Sequence, residues 1–169
     1  MQRFIDGELE SEENMHFTDS LRFETPGGRI VYGGGGIMPD VFVPIETGEH
    51  FVLYNQLANR GLIYRFAFDH ADRNRNVLSR QGDARSFVSN YTVNDALFRE
   101  FLSFTQNQGF VLPAIIHPLS EQLIKNHLKA LIGRNIFGEE AYFPVLNQTD
   151  PGFLQAMQLL KNPVLFSAR

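Results

Sequence analysis

Five histidines, nineteen carboxylates, three lysines and no cysteine are what this 169-residue chain has to do chemistry with. Without thiols, disulfides, zinc–thiolate sites and cysteine nucleophiles are excluded. A metal site needs histidines or carboxylates that converge, often at helical spacing. Asp69, His70 and Asp72 are the only close cluster of that kind, and the 3–4 periodicity around them puts His70 on an apolar stripe. His127 falls on the apolar stripe of another helix in the same way, so both read as packed histidines rather than ligands. His16, His50 and His117 stand alone, in loops or at helix starts. The polar run Asp72-Arg73-Asn74-Arg75-Asn76 reads as a solvated or salt-bridged helix end.

Nucleophilic and phosphate chemistry find no better footing. Gly33 to Gly36 suggest a phosphate loop, but that motif continues into Lys-Ser/Thr and a helix. Here Ile37-Met38-Pro39-Asp40 follows, and no lysine occurs before Lys125. The glycines read instead as backbone that turns sharply or lies against another surface. There is no Gly-x-Ser-x-Gly elbow and no Ser-x-x-Lys. Lys125 and Lys129, four apart, fall on the polar side of their helix and are expected to be solvated, whereas a lysine base must be desolvated to titrate near neutrality. No residue is assigned a catalytic, cofactor-binding or metal-ligating role, and no cofactor is expected.

The elements that hold these residues follow from pattern. Leu21 to Thr25 alternates, Pro26-Gly27-Gly28 is turn chemistry and Arg29 to Tyr32 is β-rich, which reads as a hairpin. A short extended run, Val41 to Pro44, follows the glycines. Beyond residue 46 the period becomes helical. Phe51, Tyr54, Leu57 and Ala58 give a short helix stopped by Gly61. Ile63, Phe66, Ala67, His70, Ala71, Asn74, Val77 and Leu78 give a second, over four turns, ended by Gly82. Asn94 caps a third, carrying Leu97, Phe98, Phe101, Leu102 and Thr105 and closed by Gly109. Ser120 opens the strongest, with Leu123, Ile124, His127, Leu128, Leu131, Ile132 and Ile136 inward. A distorted helix covers Glu139 to Asn147, interrupted by Pro144. Asp150 and Pro151 start the last, with Phe153, Leu154, Met157 and Leu160. The fold class expected is α+β, predominantly α: a short N-terminal hairpin and extended segment (residues 1–45), then a multi-helix module (46–169).

Composition narrows the partners. Sixteen phenylalanines and no tryptophan predict a core of aromatic rings. A formal charge of −4 argues against nucleic acid, which needs a basic face, and against an anionic membrane surface. No stretch approaches the roughly 20 apolar residues of a membrane span. The N-terminus lacks a hydrophobic signal core, and its acidic run, Glu8, Glu10, Glu12 and Glu13, reads as the beginning of a cut fragment.

Thr25-Pro26-Gly27-Gly28-Arg29, then Gly36-Ile37-Met38-Pro39-Asp40-Val41, resembles a block of the carboxy-terminal processing (tail-specific) serine peptidases, where Thr-Pro-Ser-Gly-Arg precedes Gly-Ile-x-Pro-Asp and an aliphatic pair. Gly27 stands where many members have Ser, and the glycine run is longer than in most. The likeness covers about twenty residues; Asp150-Pro151 and the leucine-rich stretch after it resemble, more weakly, the family's last helix. The resemblance implies a parent that hydrolyses proteins with a serine nucleophile and a lysine base, gathers substrates with a PDZ-type domain, and is exported to the periplasm or envelope. Those catalytic residues precede the block in the family, so none is carried onto this chain.

The chain is thus expected to be the non-catalytic C-terminal region of such a peptidase, its partners being the upstream protease and PDZ-type domains and the parent's protein or peptide substrates. The alternative is an autonomous helical module that binds a peptide or small apolar ligand without enzymatic activity; a third, less favoured, is an independent hydrolase. Because a lone hairpin is marginal in water and its edges attract strands, a homo-oligomer is also expected, through the hairpin and with Val41-Phe42-Val43 as the most apolar candidate.

Overall fold

Apolar residues recurring every three or four positions fold most of the chain into helices. In the computed structural model, residues 22–26, 28, 30–32 and 41–161 are described. Among them are eight α-helices: α1 His50–Asn59, α2 Leu62–Arg73, α3 Arg75–Leu78, α4 Ala84–Asn90, α5 Asp95–Asn107, α6 Pro118–Phe137, α7 Glu139–Asn147 and α8 Pro151–Leu160. The described strands, β1 Arg22–Glu24 and β2 Ile30–Tyr32, pair antiparallel with Phe23 opposite Val31. The protein is predominantly α, a multi-helix module with one short hairpin. The glycine run and residues 1–21 lie outside the described residues. None of the described helices is long and apolar enough to cross a membrane.

Gly48–Asp150 forms one compact unit; Met1–Thr47 and Pro151–Arg169 form a second. Within the larger unit α6 is the axis, touching α1, α2, α4 and α7. Its expected inner stripe is confirmed: Ile124, Leu128, Leu131 and Ile132 are buried, and Ala130 and Gly133 join them where α4 and α7 close over the helix. The aromatic core is equally concrete. Phe66 of α2 meets Phe101 of α5 edge-on, ring centroids 5.3 Å apart, and both rings are buried. Phe87 stacks on Tyr91 at 4.6 Å and leans on Phe137. Gly61, at φ 68° where a Cβ would be strained, turns the chain from α1 into α2.

Two side-chain bonds fasten the ends of this unit. The buried Ser120 hydroxyl donates to the His50 carbonyl at 2.6 Å, and the Asn126 amide donates to Thr149 Oγ1 at 2.8 Å. Ser120 is therefore not the cap of α6, as its place in the sequence suggests. The cap is His117, whose Nδ1 accepts from the Leu119 N–H, with Pro118 at the first helical position.

Other expectations need correcting. The second helix does not run four turns: it stops at Arg73, where Asn74 turns its amide onto the His70 carbonyl at 2.9 Å. Val77 is consequently 61% exposed rather than on the stripe, while Leu78 is buried. Pro144 does not interrupt α7: the helix runs through it, with Pro144 exposed and Ala141 and Val145 packed. Helix α4 escapes a periodicity reading because its seven residues bury one side chain, Phe87; its signal is Asp83, whose carboxylate accepts from the Ser86 N–H at 2.8 Å.

The tightest approach is at Gly133, where a Cβ would lie 2.6 Å from a Phe87 ring carbon and 3.0 Å from the Ala141 Cβ. Alanine has the higher helix propensity, by about 1 kcal/mol, yet the overlap is with a packed ring. Gly133→Ala is expected to destabilise the protein by about 1–3 kcal/mol, the usual cost of overpacking. Urea denaturation checks it; an unchanged or raised midpoint contradicts the close contact.

Candidate functional site

The chemistry-bearing side chains are drawn into packing. Among the described residues no three histidine, aspartate or glutamate side chains gather as a metal site requires. Ser79, Ser103 and Ser120 each donate to a backbone carbonyl, so none is oriented toward a base. Lys125 bonds Asp95 at 2.7 Å and also pairs with Glu121; the Asp95 hydrogen bond, then that of Glu121, holds its ammonium above the ordinary range. Lys129 is not solvated as expected. Its ammonium is partly buried and donates at 2.7 Å to the Val88 carbonyl in the last turn of α4, and burial lowers its pKa. That carbonyl is one a helix end leaves unpaired, so Lys129 serves as a cap.

The two histidines on apolar stripes are half-buried, and each meets a tyrosine. Tyr54 of α1 and His127 of α6 place hydroxyl and Nδ1 3.1 Å apart. The Tyr91 hydroxyl lies 3.4 Å from His70 Nε2, whose ring also stacks on Phe66. Burial lowers both histidine pKa values; at His70 Glu100 opposes the shift and Arg73 adds to it. Burial raises Tyr54 and pushes Tyr91 up to about 12, so both hydroxyls keep their protons at neutral pH. These are neutral pairs that join helices. His50 and His117 do not stand alone: their ring centroids are 5.9 Å apart. Sixty-six intervening residues hid that meeting from the sequence. The polar run after α2 is ion-paired as expected, with Arg73 on Glu100 at 3.4 Å and Arg75 on Asp72 at 3.7 Å.

Among the described residues a concave surface lies beside α5. A groove of about 860 Å³ runs between α5 and the segment that follows it. Phe98 and Leu102 line it from α5, and Leu112, Pro113, Ala114 and Ile116 from the segment, with Asp95, Arg99, Gln106 and Glu121 around them. Six apolar side chains share its lining with one amide and charges of both signs. That suits contact with an apolar surface, and it holds no arranged acid, base or nucleophile.

Residues 53–138 match DUF8443, a family of unknown function. The chain belongs to the DUF8443 family. No curated protein and no solved structure matches it. The DUF8443 segment runs from α1 through α6 and contains both tyrosine–histidine pairs and the groove. The hairpin, α7 and α8 lie outside the matched residues.

The tyrosine–histidine pairs fix the sign of a pH effect. Above about pH 7.5 both rings are neutral folded and unfolded, and contribute no pH dependence. Below the ordinary value of 6.5 the unfolded chain takes up protons that the folded chain resists, so stability falls as pH falls. Carboxylates add to acid destabilisation at lower pH, so the comparison is with a variant. His127→Gln is expected to lose less stability than the wild type between about pH 7.5 and 5.5, measured by urea midpoints, since its amide does not titrate. Equal losses would mean that the ring protonates freely in the folded state.

Proposed function

We propose that the chain is the non-catalytic C-terminal region of a serine-type carboxy-terminal processing peptidase. The observation that carries the reading is the Thr25-Pro26-Gly27-Gly28-Arg29 block, with Gly36-Ile37-Met38-Pro39-Asp40 after it. The described part of the block supports it physically. The Gly28 N–H donates to the Thr25 carbonyl at 2.9 Å, and Gly28 has φ 80°, so the turn joins β1 to β2 with the residue type that the peptidase block carries there. Two strands alone are a marginal sheet. In this reading they belong to the peptidase core, whose upstream protease and PDZ-type domains are the chain's partners, and whose protein or peptide substrates are cleaved by the parent's serine and lysine. The Gly48–Asp150 unit then acts by contact, gating, positioning or assembling, as its structural use of His70, His117, His127, Lys125 and Lys129 suggests. An exported parent and self-association through the hairpin edges complete the proposal; nucleic acid is no partner, given the −4 charge.

The test is the size of the natural product. An antibody against residues 48–150, used on fractions of the source cells, is expected to detect a product far larger than 19.3 kDa, and mass spectrometry of it to find preceding peptides that include the serine and lysine. A full-length product of 19.3 kDa beginning at Met1 would sink the parentage. The isolated chain is further expected to leave unfolded casein uncleaved, because an unassisted hydroxyl stays protonated at neutral pH. Turnover that disappears on replacing a serine of this chain would overturn that reading.

A further inference from the structure

We draw no further inference here: the strongest candidate, the His50–His117 side-chain pair where α1 and α6 begin, carries nothing, because Nδ1 of His117 is spent on the Leu119 N–H and no third ligating side chain joins the two rings among the described residues.

Discussion

A missing side chain governs the centre of the larger unit. Where α4 and α7 close over α6, the ring of Phe87 occupies space that any Cβ at position 133 would fill. That approach decides how near the three helices come, and with it the places of Phe137 and Tyr91, which pack on the same ring. Tyr91 in turn reaches His70 on α2, and His70 stacks on Phe66, the ring that meets Phe101 of α5. A chain of aromatic contacts thus runs from the α6–α7 corner to the α2–α5 seam. Close-packed interiors transmit displacements along such contacts, because no free volume absorbs them.

The outline of this arrangement was legible wherever a helix is long enough to repeat its apolar face. The stripe of α6 and the cap and stripe of α5 can be read directly, since Asn94 accepts from Leu97 and the inward residues recur every three or four positions. What escaped reading was set by tertiary contact. Asn74 ends a helix whose apolar pattern continues to Leu78, its backbone N–H and its side-chain amide both donating to the His70 carbonyl. Ser120 looks like a cap and is spent on the carbonyl of His50, seventy residues away. Lys129, on what pattern alone calls a polar face, finds an unpaired carbonyl at the end of a helix too short to announce itself. The groove was invisible for a related reason: periodicity says which residues of a helix are apolar, but not which stretch of connecting chain lies beside them.

The histidines show why residue type is a poor guide to chemistry here. A buried imidazole flanked by a tyrosine resembles part of a proton relay, yet burial lowers the histidine and raises the tyrosine, moving both away from exchange at neutral pH. Such pairs satisfy two polar groups with each other at helix seams, which is what the interior demands of any polar atom it encloses.

The two bonds at the ends of the larger unit have a topological meaning. His50, at its beginning, is tied to Ser120, and Thr149, at its end, is tied to Asn126. Ser120 and Asn126 are six residues apart on one helix, about 9 Å at 1.5 Å rise per residue. The two ends of this hundred-residue unit are therefore anchored within two turns of one helix. Gly48–Asp150 is thereby closed at both ends onto one helix, so the unit cannot fray from either end without first breaking a bond to α6.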